Sequence, residues 1–184
     1  MKIAVYSGSF DPLHIGHQAI MEYLTREGEF DWVYLVVSPQ NPFKDPAKAL
    51  SARHRYDAAV EAVARHPELK VRVDDVELRM PPPHYTIRTL DALRAREPEN
   101  DFSLVIGGDN LAGISRWRDS ARLLSEYPLV VYPRKGFDCE ELRAALLQDL
   151  PCDIRIIDAP LVDISSTALR AAISRGEDVS GWLM

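Results

Sequence analysis

The 184-residue chain reads as an α/β protein: a doubly wound, mostly parallel sheet with helices on both faces, folded as one domain over 1–184. Short runs rich in β-branched and aromatic residues recur between stretches of helical periodicity, the pattern of alternating βαβ units. These runs are apolar throughout rather than at every second position, so the strands they form are buried on both faces, as parallel strands are. The length suits one domain, and 46% hydrophobic with 27% charged residues supports a core without disulfide or metal staples.

The first run, Ile3–Tyr6, ends in a glycine-containing turn. From His14 to about Arg26, Ile20, Met21 and Leu24 then share one helical face until Gly28 stops the pattern. Trp32–Val37 is the second strand. A helix over Ser51–Arg65 follows, with Ser51 as a candidate N-cap and Tyr56, Ala59, Val60 and Val63 as its apolar side. Val71–Val73, Leu104–Ile106, Leu129–Val131 and Ile154–Ile157 are the remaining strands. Helices over Thr86–Arg96, Arg118–Glu126, Cys139–Gln148 and Ser166–Arg175 are interleaved with them, the last closed by Gly176. Right-handed crossovers between such units give a Rossmann-like sheet, where ligands sit beyond the carboxyl ends of the strands at the switch in strand order. Chemistry is therefore expected in the loops after strands. Two of these are proline-rich, Ser38–Pro46 and Pro81–His84, too short and too poor in glycine and serine to be domain linkers.

A formal charge of −6 leaves no general positive field for a polyanion, so nucleic acid is not an expected partner and an anionic ligand must be met by a local cluster. Cys139 and Cys152 are too far apart for a CxxC pair and read as reduced structural thiols of a reducing compartment. The N-terminal apolar stretch is broken at Ser7-Gly8, too soon for a signal peptide, and no run approaches the roughly 20 apolar residues of a membrane span. No membrane partner is expected, and the cytoplasm is the expected location.

The turn Ser7-Gly8-Ser9-Phe10-Asp11-Pro12 joins the first strand to the first helix. Gly8 lets the backbone approach a ligand, and the free N–H groups and dipole of the helix start favour phosphate. His14 and His17 stand three apart there with Gly16 between them. They could donate hydrogen bonds to phosphate oxygens as charge builds on a leaving pyrophosphate, or be a surface pair, or half of a metal site. Ile164–Arg170 makes a second helix start, with Ser165 or Ser166 as cap and Arg170 one turn in, able to reach phosphate or simply to sit on the surface. Gly107-Gly108-Asp109 follows a strand, so Asp109 could hold ribose hydroxyls, cap the next helix, or both. Thr86 could cap the helix it begins, and Lys44 could meet a phosphate or stay solvated. Trp117 is either a half-buried residue at a helix start or an aromatic platform. His54, His66 and His84 read as surface or packing residues.

The segment GSFDPLHIGH, Gly8 to His17, resembles the (T/H)xGH signature of the nucleotidyltransferase superfamily, and ISSTALR, Ile164 to Arg170, resembles its ISSTxxR motif. Class I aminoacyl-tRNA synthetases share the HIGH string but are far longer and carry a KMSKS-type loop absent here. Three further segments resemble the nicotinate-nucleotide adenylyltransferase branch: IGGDNLAGISRW its IGxDxL…W segment, HYTIRTL its SYTIxTL segment, and YPRKG its PRxG turn. Ser38–Lys44 is similar to that branch's PxxxPPHK loop, with Phe43 in the place of histidine and Pro42 and Lys44 retained.

The resemblance covers nearly the whole chain. It implies transfer of AMP from ATP to nicotinate mononucleotide, giving deamido-NAD and pyrophosphate in NAD biosynthesis. It implies His14 and His17 as catalytic residues, with Gly8, Ser9, Phe10, Gly107, Asp109, Ser165, Ser166, Thr167 and Arg170 around ATP. Lys44, Tyr85, Thr86, Trp117 and Arg134 are implied around the acceptor, Trp117 stacking on the pyridine ring. The acceptor phosphate attacks the α-phosphorus in line with no side-chain nucleophile, and Mg²⁺ held mainly by ATP phosphates and water is the implied cofactor, without protein metal ligands. The nearest alternatives are related adenylyltransferases using nicotinamide mononucleotide or phosphopantetheine. The YT and W segments count against the second. An ATP-binding sensor module without chemistry is the alternative of another class, opposed by His14, His17 and Arg170. Relatives commonly continue through a further hydrophobic helix where this chain ends, at Gly181–Met184, so either a C-terminal helix is lacking or the sheet closes differently. The oligomeric state is left open.

Overall fold

The computed structural model describes residues 1–39 and 46–184, and Lys44 with the loop around it lies outside them. Among the described residues the strands are β1 (Lys2–Gly8), β2 (Trp32–Val37), β3 (Val71–Asp74), β4 (Asp101–Gly107), β5 (Leu129–Tyr132) and β6 (Ile154–Ile156). All pair in parallel, in the order β3-β2-β1-β4-β5-β6. Helices α1 (Ile15–Arg26), α2 (Pro46–Ala64), α3 (Val76–Arg79), α4 (Thr86–Arg96), α5 (Gly108–Gly113), α6 (Ser120–Glu126), α7 (Cys139–Asp149) and α8 (Ser166–Ser174) connect or follow them. This is the doubly wound, Rossmann-like α/β fold that the alternation of elements predicts.

Alternation along each strand fills two core layers, one per face of the sheet. Ile3 and Val5 of β1 pack with Tyr34, Val36, Leu104, Ile106, Leu129 and Val131 against α4 and α6 through Ile87, Leu90, Leu93 and Leu123. Ala4 and Tyr6 pack with Leu35, Val37, Val105 and Val130 against α1 and α2 through Ile20, Met21, Leu24, Ala59 and Ala62. Every one of these is buried, which is why the strand sequences carry no polar face. Burying a side chain such as Leu24 contributes about 1.5–3 kcal/mol.

Several boundaries differ from those the sequence predicts. Helix α2 starts at Pro46, so Ser51 lies inside it and caps nothing. Helix α6 starts at Ser120 rather than Arg118, behind Asp119 with φ 52°. The short helices α3 and α5 and the 3₁₀ turns at Ile114–Arg116 and Ser180–Trp182 are too brief to show a helical period in sequence. Gly176 closes α8 as expected, with φ +75° and its N–H donating to the Ile173 carbonyl. Beyond it, Leu183 forms an isolated antiparallel bridge with His14, and Met184 is buried in the layer of α1 and α2. Both thiols are free, Cys139 buried and Cys152 half-buried. Among the described residues no helix is long and apolar enough to cross a membrane.

Candidate active site

The strand order reverses between β1 and β4, whose carboxyl ends carry the turn after Gly8 and the Gly107–Asp109 segment. That is the switch point where a doubly wound sheet opens a crevice. In the turn after β1, Phe10 adopts φ 47°, a left-handed conformation that costs a bulky residue on the order of 1–3 kcal/mol. Packing holds it there. Its ring stands edge-on to Tyr6 at 5.3 Å and to His17 at 5.1 Å, and it covers Gly8 so closely that a Cβ on Gly8 would meet it at 3.1 Å. The direction a Gly8 side chain would take is therefore filled by the Phe10 ring.

His14 is the N-cap of α1 and His17 is its third residue, so the two form a capping box made of imidazoles. His14 Nδ1 accepts from the Gly16 N–H at 3.1 Å, and His17 Nδ1 accepts from the His14 N–H at 3.2 Å. Both Nδ1 atoms being acceptors, each neutral ring carries its proton on Nε2. The rings stack with centroids 3.7 Å apart, 26° from parallel. Burial, and then the Arg134 charge, hold His14 down at about 4. Burial, His14 and Arg134 hold His17 down at about 3. At neutral pH the pair is thus uncharged and presents two Nε2–H donors.

The second motif docks onto this turn. Ser165, not Ser166, caps α8, its hydroxyl accepting from the Ala168 N–H at 3.1 Å. Ser166 Oγ donates to the Pro12 carbonyl at 2.9 Å, and Arg170 donates through Nη1 to the Asp11 carbonyl at 2.7 Å and through Nη2 to Thr167 Oγ1 at 3.1 Å. The ends of β1 and of the loop before α8 therefore converge, as the two motifs imply. Beside them an open cleft is lined by His14, His17, Tyr132, Arg134, Leu161 and Ile164, among others.

On the β4 side Gly107, not Asp109, is the N-cap of α5, and Asp109 lies in the first turn with no capping bond. Its carboxylate faces Arg134 Nε at 3.7 Å, and the Arg134 guanidinium lies 5.4 Å from the Tyr132 ring centre. Arg134 thus lines the same cleft as the histidines, and Asp109 faces it from the β4 side. Tyr85, Thr86 and Trp117 do not touch the histidine pair. Tyr85 occupies the N-cap position of α4 without a side-chain bond, so Thr86 is the first helical residue and not a cap. Trp117 ends the 3₁₀ turn and packs half-buried against the core, while the neighbouring Arg118 guanidinium sits 5.0 Å from the Tyr85 ring centre. That contact ties the tryptophan segment to the start of α4. His84 Nε2 lies 2.9 Å from the Met80 carbonyl and His66 Nδ1 lies 3.2 Å from Glu68 Oε1.

Two polar residues behind the turns escape sequence reasoning. Arg55 of α2 is buried and donates to the carbonyls of Ser9 and Ser38. Glu77 of α3 is buried and accepts from Ser38 Oγ and Thr89 Oγ1, Ser38 Oγ also lying 3.0 Å from Ser7 Oγ. Nothing in the string HRYDA or VELRM separates them from solvated helical charges. Only their position behind the strand ends gives them away.

With this geometry in view, the relatives of the chain can be compared. Residues 5–172 match the family model described as cytidylyltransferase-like. A probable nicotinate-nucleotide adenylyltransferase of Bacteroides fragilis is 38% identical over 182 residues, covering 99% of this chain and 87% of the relative. One of Porphyromonas gingivalis is also 38% identical, covering 100% of this chain and 89% of the relative. Among solved structures, the Plasmodium falciparum nicotinic acid mononucleotide adenylyltransferase complexed with NaAD superposes with a TM-score of 0.78 at 19% identity, over 99% of this chain and 90% of that one. A putative nicotinate-nucleotide adenylyltransferase from Vibrio parahaemolyticus has a TM-score of 0.67 at 21% identity, over 100% and 93% of the two chains. The motif pair meeting at the β1 switch point, and relatives that match from end to end, show that the chain belongs to the nicotinate-nucleotide adenylyltransferases of the cytidylyltransferase-like family.

Proposed function

We propose that this enzyme transfers AMP from ATP to nicotinate mononucleotide, giving deamido-NAD and pyrophosphate. The observation that carries the reading is the neutral, stacked His14–His17 pair, whose only free ring donors are two Nε2–H groups beside the docked start of α8. Such a pair cannot act as a base through Nδ1, which is engaged. It donates to phosphate oxygens and gains interaction energy as negative charge grows on the leaving pyrophosphate.

In this reading the turn from Gly8 to Phe10 supplies backbone contacts, Ser165, Ser166, Thr167 and Arg170 lie toward the β- and γ-phosphates, and Gly107 and Asp109 lie toward the ribose. Tyr85, Thr86 and Trp117 frame the pyridine end of the acceptor, with Arg134 between the two nucleotides. Lys44, which lies outside the described residues, remains assigned to the acceptor on its sequence alone. The relatives' names, and the NaAD held by a structural neighbour, support nicotinate over nicotinamide mononucleotide or phosphopantetheine.

Mg²⁺ fits this donor set as a companion of the triphosphate. Among the described residues no three His, Cys, Asp or Glu side chains gather, and both histidines have Nδ1 committed to the backbone. The ion, coordinated by phosphates and water, would supply charge neutralisation at the β and γ oxygens. The protein's part is positioning and hydrogen bonding.

The test is pyrophosphate release from ATP with nicotinate mononucleotide, nicotinamide mononucleotide and phosphopantetheine run in parallel. A preference of about 10²-fold, ~2.7 kcal/mol, for the first in kcat/KM is expected. Equal or greater turnover with another acceptor overturns the acceptor assignment, and no release with any of them overturns the reaction.

A further inference from the structure

Arg55 has no part in the reaction as described, yet its guanidinium reaches the turn that does. It is 7% exposed. Nη1 donates to the Ser9 carbonyl at 2.6 Å and to the Ser38 carbonyl at 3.0 Å, so one nitrogen joins the loop after β1 to the loop after β2. Nη2 is buried and, among the described residues, has no hydrogen-bond partner. Burial pulls the guanidinium below its usual range, and Asp11 is the charge that opposes this.

A side chain kept for stability would not be arranged so. A buried donor without a partner costs about 1–3 kcal/mol, which offsets much of what the two carbonyl bonds contribute. What the guanidinium does provide is orientation. A trans peptide points its N–H opposite to its C=O, so fixing the Ser9 carbonyl toward Arg55 turns the Phe10 N–H away from α2. The same turn is gripped at its other carbonyls from the far side, Asp11 by Arg170 and Pro12 by Ser166. Phe10, at φ 47°, sits between these grips in a conformation that needs outside restraint.

We propose that Arg55 is a positioning residue for adenylyl transfer: by holding the Ser9 and Ser38 carbonyls together it fixes the Ser9–Phe10 peptide and aims the Phe10 N–H at a phosphate of the bound nucleotide. The proposal rests on the adenylyl-transfer reading for its kinetics and on the geometry of the turn for its structural part. Arg55 acts from behind the turn, through the peptide, and does not touch the substrate.

The experiment compares Arg55→Met, Arg55→Lys and Arg55→Ala with the parent in melting temperature, kcat and the Phe10 amide shift. Arg55→Met loses an unpartnered buried donor along with two carbonyl bonds, so its melting temperature is expected to change little, while its kcat falls at least tenfold, about 1.4 kcal/mol of transition-state stabilisation. Arg55→Ala is expected to recover part of its kcat in millimolar guanidinium, which a structural role without orientation would not produce. In ¹H–¹⁵N spectra the Phe10 amide of the parent shifts on addition of ATP, and that of Arg55→Met does not. Should Arg55→Met fail to fold, Arg55→Lys, which keeps the charge but ends one bond short of the Nη1 position that meets both carbonyls, decides by the same kcat and amide shift. A kcat within about threefold of the parent, or a Phe10 shift unchanged by the substitution, overturns the proposal. A parent that releases no pyrophosphate sinks the adenylyl-transfer reading instead, and the Phe10 shift with ATP still decides this one.

Discussion

The ring of His14 lies 3.7 Å from that of His17, centre to centre, because the two residues occupy the N-cap and third positions of one helix and each accepts a backbone N–H through Nδ1. The stack is thus a product of helix capping, and it has an electrostatic consequence. Two unit charges about 4 Å apart repel by about 4 kcal/mol at an effective dielectric constant near 20, so the pair excludes a doubly protonated state. The neutrality of the pair and the Nε2–H tautomer of each ring are two outcomes of one local geometry.

That neutrality is directly measurable. Each folded-state value lies below the ordinary 6.5, at about 4 for His14 and about 3 for His17, so between 6.5 and those values the unfolded chain binds protons that the folded chain does not. The stability contributed by the neutral rings is therefore complete above 6.5 and is lost as the pH falls toward those values. In ring ¹⁵N spectra of the nucleotide-free protein, both histidines are expected as Nε2–H tautomers at neutral pH. A titration midpoint at or above 6.5 for either ring contradicts the arrangement.

Gly16 is the residue that makes the stack sterically feasible. A Cβ at Gly16 would stand 2.9 Å from His14 Cε1 and 3.0 Å from Nδ1, closer than real contacts allow, so Gly16→Ala must push the His14 ring aside. Alanine is the better helix former by roughly 0.5–1 kcal/mol, which offsets part of the clash in stability but none of the displacement. The expected result is a melting temperature close to the parent's with kcat lowered about tenfold or more, approaching the roughly 10²-fold loss expected for His17→Ala. Parent-like kcat in Gly16→Ala would show that the stack is dispensable.

How much of this was legible beforehand depends on the physical range of each signal. The strands and the helix Thr86–Arg96 declare themselves because uninterrupted β-branched runs and long helical periods are local patterns. The convergence of Gly8–His17 with Ile164–Arg170 was legible only as a paired motif, since no local property of either segment contains the 2.9 Å bond from Ser166 to the Pro12 carbonyl. Asp109 was half legible: its place after a strand is right, but the cap is Gly107 because the helix starts at once from the strand end. Arg55 and Glu77 were invisible, since burial of a helical charge is decided by what packs over it from other parts of the chain.

Arg134 tests the electrostatic side of the cleft. Its charge helps to hold both histidines neutral, and its guanidinium lies 3.7 Å from Asp109. Arg134→Gln is expected to raise both histidine values toward 6.5, moving the acid limb of the rate profile to higher pH, while leaving the ring stack in place. The measurement is kcat/KM against pH for the two proteins. An acid limb that stays put, or moves to lower pH, would show that Arg134 does not act on the pair.

Glu77 supplies the last expectation, because its sign is opposite to that of Asp91, Glu97 and Glu126. It is 3% exposed, accepting from Ser38 Oγ at 2.5 Å and from Thr89 Oγ1 at 2.8 Å. Burial outweighs those bonds and lifts its carboxyl above the ordinary 4.5. A group raised in the folded state contributes stability that is fully present below 4.5 and is lost as the pH rises through the folded value. Asp91, Glu97 and Glu126, held down by arginine partners and hydrogen bonds, change stability in the other direction, so the informative quantity is the difference between parent and variant. Glu77→Gln keeps the shape, accepts from Thr89 through its carbonyl, and donates to Ser38 Oγ, whose proton can then turn to Ser7. Relative to the parent, its melting temperature is expected to rise as the pH climbs from 4.5 toward neutrality. Glu77→Ala, which strands two buried hydroxyls, is expected to lose about 1–3 kcal/mol across the range. A parent-minus-variant difference for Glu77→Gln that is flat with pH would mean that Glu77 is ionised without cost, and that the Ser7–Ser38–Thr89 hydroxyls solvate it as well as water does.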